Sequence, residues 1–506
     1  MLRASNRGYL DEYRKIFNEW ENLKIIERVP DLENNKNSHY LPHRPVIKNS
    51  GETTKVRPVF DASARGKGKP SLNQCLFTGP NLIEALPDIL DRFRMFPIGL
   101  SADIEKAFLQ IGIAPHDRDY LRFFYPRDEG EIYRHCRVVF GVTSSPFILS
   151  ACIEYLLDHA PHEFSGVVQK LRQSFYVDNC LTGVKHVSEE KYFIEMAQKV
   201  MSTACFNLRG WESNFPCKYV SKSSGVTGVL GMLWDLDKDT LKCNINLKAL
   251  TCENRVTKRL ILSLVQQIFD PIGILTPATL FPTLLLQEMW KNSISWDEIL
   301  PGCFLEEFYK WLAEVPLLSN VEIPRYMIIL EISEFHVFVD ASKRAYTACI
   351  FARSVDSNGV KINLVRAKSR VAPLKTISIP RLELLACCIG ARLANSVRND
   401  LDLPDMKITF WTDSSVVLWW IREQGEWSVF VTNRVREIKT LFQQQSWRHV
   451  PGNVNPTDVL SRGCCPKQML KYEWWNGPEW LLMSPDFWPS NICYDTNEMQ
   501  REGRLN

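Results

Sequence analysis

The sequence has no Cys-x-x-Cys pair and no histidine set at zinc-finger spacing, although it carries 15 cysteines and 9 histidines in 506 residues. Thiols scattered singly or as adjacent pairs, such as Cys387 with Cys388 and Cys464 with Cys465, exclude a disulfide scaffold and a structural zinc. They are what a reduced, intracellular protein carries, and a cytoplasmic location is expected. Long apolar runs are also missing. The greasiest stretch, Leu260 to Trp290, is broken by Gln266, Gln267, Asp270 and several prolines, and Met1 to Lys15 lack an apolar segment, so neither a membrane span nor a signal peptide is expected. Neither sign of charge dominates, with 61 Lys and Arg against 58 Asp and Glu. A net charge of +3 excludes a uniformly basic nucleic-acid coat, and any groove for nucleic acid must come from local clustering. Repeats and low-complexity segments are absent. What is present is 45% hydrophobic residues over a length that accommodates about three domains of roughly 150 residues each.

Tyr9 to Val29 has helical spacing at Tyr13, Phe17, Trp20 and Leu23 and runs to Pro30, an amphipathic lead-in. Short apolar or alternating runs from Val46 to about Val184, separated by turns and helices, form an α+β pattern. Asn246 to Leu318 reads as mostly helical, with Pro271, Pro277, Pro282 and Pro301 breaking it into short pieces. Beyond it, Phe335 to Asp340 and Tyr346 to Arg353 alternate like strands, Arg381 to Asn399 has helical period, and Ile408 to Thr412 is a further strand, a compact second α/β unit. The expected divisions are a lead-in at 1–45, an α+β region at 46–240, a helical connection at 241–330, the second α/β unit at 331–465 and a Trp/Pro-rich tail at 466–506.

Carboxylates mark both α/β regions. In the first, Ile98 to Ala102 is a short strand delivering Asp103 at its end, and Ser174 to Thr182 reads as a hairpin with Asp178 and Asn179 at its two-residue tip. Between them, Phe140 to Phe147 is a small-residue turn leading into a helix, and upstream Lys55 and Arg57 punctuate a strand. An Asp in a turn is usually a cap, and Lys55 and Arg57 alone read as an exposed strand face. In combination, two carboxylates suited to Mg²⁺ pairs and cations suited to a triphosphate are what in-line nucleotidyl transfer requires. In the second region, Asp340 ends a strand, Glu383 lies near a helix start, Asp413 ends the next strand, and Asp458 enters a helical turn. Singly, Glu383 is readable as a dipole partner and Asp458 as an N-cap. Converging carboxylates repel one another, so a set of four is expected to persist only around divalent cations.

The segments "LPHRPVIKNSGETTKVRPVFDASA", "SLNQCLFTGPNL", "LSADIEKAFLQI", "FGVTSSPFIL", "YVDNCLTG", "LRGWESN", "LGMLWD" and "TKRLILSLVQQIFDPIGILTP" resemble the reverse transcriptases of the BEL/Pao group of long-terminal-repeat retrotransposons. The segments "FVDAS", "IPRLELLA", "FWTDSSVVL" and "HVPGNVNPTDVLSRG" are similar to retroelement ribonuclease H domains. The resemblance spans nearly the whole chain. It implies a right-hand polymerase with fingers, palm and thumb, followed by an α/β ribonuclease H-like domain. It further implies Asp103 and Asp178 as metal-binding aspartates of the polymerase, and Phe108 as the bulky side chain that blocks a ribose 2′-hydroxyl. Lys55 and Arg57 match cations on the triphosphate, and Phe140 and Gly141 the turn under base and sugar. Asp340, Glu383, Asp413 and Asp458 match the nuclease acids, with Mg²⁺ or Mn²⁺ as cofactor. His449 lies near the place of a flexible catalytic histidine, but its spacing to Asp458 fits poorly. The partners implied are a template-primer, RNA–DNA hybrid and deoxynucleoside triphosphates.

Two positions depart from the family. Its hairpin motif ends in two aspartates where this chain has Asn179, and a lysine is usual where Gly210 stands. The first removes a carboxylate from the metal site, the second a cation near the leaving pyrophosphate. The expected function is DNA synthesis on RNA or DNA with cleavage of RNA in hybrids. The alternative is a degenerate or domesticated relic that binds nucleic acid with impaired synthesis. With no aspartic-protease triplet ahead of the first region and no integrase motif after the tail, a fragment or truncated copy is expected.

Overall fold

In the computed structural model, which describes residues 10–33, 37–50, 53–126, 130–245, 256–423, 425–443 and 446–490 (the side chains of 48–50 and 53–55 excepted), the spacing of Tyr13 and Phe17 does form a helix, Leu10–Asn22. It ends well before Pro30, because Lys24 takes a left-handed conformation with φ 54°. Tyr13 and Phe17 are buried with Ile26, Leu41, Phe60, Phe123 and Tyr133, so the segment read as a lead-in contributes to a core.

The chain divides into two compact units that interleave along the sequence. The first comprises 1–84, 101–180 and 191–211; the second comprises 85–100, 181–190 and 212–506. Strands β1 (Ile26–Arg28), β2 (His43–Ser50), β3 (Thr53–Phe60), β4 (Ile98–Ile104), β5 (Arg122–Phe124), β6 (Ile132–His135), β7 (Phe175–Tyr176), β8 (Asn179–Val184) and β9 (Leu208–Ser213) are ordered as a β2-β3 hairpin, a β1-β6-β5 sheet and a β7-β8-β4-β9 sheet.

In the second unit, β10 (Val226–Val229), β11 (Met232–Asp235), β12 (Thr240–Cys243) and β13 (Ile323–Pro324) make one sheet. β14 (Glu334–Ala341), β15 (Ala345–Asp356), β16 (Gly359–Val371), β17 (Lys407–Thr412) and β18 (Trp447–His449) make another, in the order β16-β15-β14-β17-β18. The alternation expected of Phe335 to Asp340 is absent: every residue from Glu334 to Asp340 is buried. The reason is that both faces of this sheet are covered. Helix Ile379–Asp400 lies on one face, where Gly390 admits Val339 so closely that a Cβ would come within 2.5 Å of it. The other face receives residues set apart as a tail. Trp480 meets Trp411 and Phe338 with ring centroids 5.0 and 5.8 Å apart, and Trp488 meets His336 at 5.0 Å. Arg353 of β15 donates to the carbonyls of Leu481 and Met483 at 2.8 and 3.3 Å.

The proline-rich region forms helices Lys258–Gln267, Thr276–Lys291 and Gly302–Glu314. Pro277 starts the second of these, but Pro282 lies inside it and does not break it. A proline there leaves the carbonyl four residues back, that of Ala278, without its helical donor. The buried Trp311 indole supplies one, its Nε1 donating to the Ala278 oxygen at 2.9 Å. No helix among the described residues is long and apolar enough to cross a membrane.

Candidate active sites

In the first unit, Asp103 points from β4 with half its side chain exposed (51%). The Ile104 amide donates to the Asp178 carbonyl at 2.9 Å, which fixes the β7–β8 hairpin beside it. Burial first, and then the charge of Asp103, raise the Asp178 carboxyl above the ordinary range. The hairpin pairs Tyr176 with Asn179, so its two-residue loop is Val177–Asp178 and not the expected Asp178–Asn179. The positive φ falls on Val177 (57°), an uncommon conformation for a β-branched residue. Asn179 is a strand residue whose Nδ2 donates to Asp178 Oδ1 at 3.0 Å.

On the other side of Asp103, Gly210 has φ 64° and lies so close that a Cβ would sit 3.0 Å from Asp103 Oδ1. The neighbouring Arg209 brings a cation: its Nε is 3.8 Å from Asp103 Oδ2 and its Nη1 donates to Glu105 at 2.7 Å. Sequence reading missed Arg209, although an arginine next to the glycine that replaces a family lysine was a signal. Two adjacent carboxylates, one exposed and one half-buried, form a donor set suited to hard divalent cations.

Phe108 is buried (4% exposed) beneath Phe140, which is 52% exposed, with centroids 4.5 Å apart at 72°. Gly141 (φ 92°) lies against the end of β3, where a Cβ would meet the Phe60 oxygen at 2.8 Å. Lys55 and Arg57 both fall in β3; Arg57 is exposed, and the Lys55 side chain lies outside the described residues.

In the second unit the strand register assembles the acids. Parallel β14 and β17 pair Phe338 with Trp411, and continuing that register brings Asp340 level with Asp413. Glu383, in the second turn of its helix, accepts from the Ser414 hydroxyl. Asp458 is the first residue of helix Asp458–Arg462, with Thr457 at the N-cap place read for Asp458. Asn455 pins that helix to the sheet, donating to the Val339 carbonyl at 3.1 Å, and Ser342 donates to the Ser461 carbonyl at 2.8 Å. Burial, then the charges of Asp413 and Asp340, push Glu383 up to about 7 against the Ser414 hydrogen bond. Burial, then Asp340 and Asp458, push Asp413 up to about 7. Asp340 is raised by burial and by Asp458, against a hydrogen bond from Ser461.

Among the described residues no three acids close around a single point. Asp413 Oδ1, however, is buried with no hydrogen-bond partner. Mutually repelling carboxyls with an unsatisfied oxygen fit a bound divalent cation. His449 is not on a loop: it is a buried strand residue paired with Thr412, and burial lowers its pKa. Gly452 approaches Asp413 so closely that a Cβ would stand 3.0 Å from Oδ2.

Residues 70–209 match the family model described as reverse transcriptase (RNA-dependent DNA polymerase), and residues 257–414 the one described as Pao retrotransposon-like RNaseH-like domain. No curated protein matches the chain. Among solved structures it is similar to the foamy viral protease-reverse transcriptase in complex with double-stranded DNA, at 14% identity, TM-score 0.56, covering 87% of this chain and 82% of that one. A second form of that protein in complex with double-stranded DNA gives the same identity and score, with 69% of its chain covered. The same protein in complex with RNA/DNA hybrid matches at 13% identity and TM-score 0.55, covering 87% of this chain and 53% of that one.

Proposed function

The chain belongs to the BEL/Pao-type retrotransposon proteins, reverse transcriptases carrying a ribonuclease H domain, and from that premise we propose which of its residues make DNA and which cleave RNA. Asp103 and Asp178 hold the cations of synthesis; Asp340, Glu383, Asp413 and Asp458 hold those of cleavage. The cations are Mg²⁺, with Mn²⁺ as a substitute, and the substrates are deoxynucleoside triphosphates on a template-primer and the RNA strand of a hybrid. Bound divalent cations activate the attacking hydroxyl or water and offset charge on the phosphate. The residues do the rest. Arg57 and Lys55 receive the triphosphate, the Phe140 and Phe108 rings take the sugar, and Ser414 and Ser461 orient Glu383 and Asp340 by hydrogen bonds. A cytoplasmic site of action agrees with the described cysteines all being free.

The observation that carries this reading is the parallel register of β14 and β17, which, continued two residues, sets Asp340 level with Asp413 just past the end of β17, with Asp413 Oδ1 unpartnered. Asp340→Asn tests it: cleavage of RNA in a hybrid at saturating Mg²⁺ is expected to fall by at least about 10³-fold with the melting temperature retained. Cleavage equal to the parent would remove the assignment. A second reading, a relic with impaired synthesis, is favoured by the Asn179 amide, which donates to Asp178 where the family has a carboxylate.

A further inference from the structure

We propose that Asn73 is a positioning residue for sugar selection, which it exerts by fixing the turn that carries Phe140. The inference rests on the reading of Phe140 and Phe108 as the rings that meet the sugar. Phe108 is almost wholly covered, so the surface open to a ribose is that of Phe140, held edge-on above it. A ring 52% exposed on a turn of small residues, Gly141 to Ser145, is not held by packing alone. Something must fix the backbone on which it sits.

Asn73 does so with both ends of its amide. Its Nδ2 donates to the Gly141 carbonyl at 3.1 Å and to Ser63 Oγ at 2.9 Å, and its Oδ1 accepts from the Thr143 amide at 2.9 Å. The backbone partners dictate that orientation, since a carbonyl must accept and an N–H must donate. Asn73 thereby grips the turn on both sides of Val142 and ties it to Ser63.

Its own mount is rigid. It lies in helix Leu72–Cys75, closed by a reciprocal cap in which Ser71 Oγ accepts from the Gln74 amide and Gln74 Oε1 from the Ser71 amide. The Asn73 amide donates to the Ala62 carbonyl at 3.1 Å. Gly141, pressed against the Phe60 oxygen, prevents the turn from moving away on the other side. Loss of the grip leaves Phe140 free to swing, and a swinging ring excludes a 2′-hydroxyl less well than a fixed one.

The test reads binding, so it does not depend on the rate of chemistry. Full-length protein is loaded with a template-primer ending in a dideoxynucleotide, and the affinities for the matched dNTP and rNTP are measured with Mg²⁺ for the parent, N73A, N73D, F108A, F140A and the double variant N73A/F140A. N73D keeps the acceptor for Thr143 but sets a carboxylate oxygen against the Gly141 carbonyl, so it covers the case in which N73A does not fold. Expected is a roughly tenfold fall in preference for dNTP in N73A and N73D, a comparable fall in F140A, and no further fall in the double variant. A fall in F140A with none in N73A or N73D overturns the role of Asn73, as do additive falls in the double variant. An unchanged preference in both F140A and F108A, or a parent that binds both nucleotides equally, overturns the sugar-gate reading itself.

Discussion

Asn179 changes the charge beside Asp178 without changing the chain's path. The left-handed residue of the hairpin is Val177, so the turn does not depend on what stands at 179. An Asn there donates to Asp178 Oδ1 and occupies a lone pair that a cation would otherwise take, and it brings no charge of its own. Asn179→Asp is expected to lower the half-saturating Mg²⁺ for primer extension by roughly tenfold, with the melting temperature nearly unchanged. Identical metal dependence in the two proteins would show that Asn179 does not limit synthesis. The acids of the second unit give a pH-dependent outcome. Glu383 and Asp413 are both pushed up to about 7, so the folded state holds their protons more tightly than the unfolded chain does. Without metal, stability is therefore level below about pH 4 and falls as pH rises from there through about 7. Thermal melts in chelator at about pH 5 and about pH 8 should show that fall, Asp413→Asn should reduce it, and Mg²⁺ should stabilise more at the higher pH, where protons compete less.

At the scale of elements, the segment that composition sets apart as a tail covers a sheet face. Trp474 is buried and its indole donates to the Ile274 carbonyl at 3.1 Å; Trp480 donates to the Val454 carbonyl at 3.2 Å. Ile274 lies in the turn ahead of helix Thr276–Lys291, and Val454 ends the short 3-10 helix Gly452–Val454 ahead of Asp458. The Trp residues thus fasten connecting segments as well as the sheet. Trp474→Ala is expected to cost about 3–5 kcal/mol, from the cavity and from the carbonyl left without its donor. A denaturant midpoint unchanged from the parent would return the segment to the role of a loose tail. The same logic explains Pro282: proline chemistry called for a break, and the indole of Trp311, 33 residues on from Ala278, supplied the donor that the Ala278 carbonyl lacked.

At the scale of the molecule, the two acid sets belong to different compact units: Asp103 and Asp178 to the first, and Asp340, Glu383, Asp413 and Asp458 to the second. The two activities should therefore be separable. Asp103→Asn is expected to abolish primer extension and leave hybrid cleavage within about twofold of the parent, and Asp340→Asn to do the reverse. Loss of both activities in either variant, with folding intact by circular dichroism, would show that the units do not act independently.

Local period and residue type signal strand ends, helix starts and turns, so the places of the acids at those points and their order along the chain are legible without the structure. Helix Leu10–Asn22, strand β4 carrying Asp103, and the strand–helix–strand run through Asp340, Glu383 and Asp413 were all legible on those grounds. Folding alone settles what depends on partners distant in the chain. It shifted the hairpin loop to Val177–Asp178, buried β14 on both faces, set Asp340 level with Asp413, placed Arg209 beside Asp103 and bound Asn73 to Gly141 and Thr143. Periodicity reports which face of an element is apolar, whereas register and hydrogen-bond partnership are fixed by packing against elements tens or hundreds of residues away.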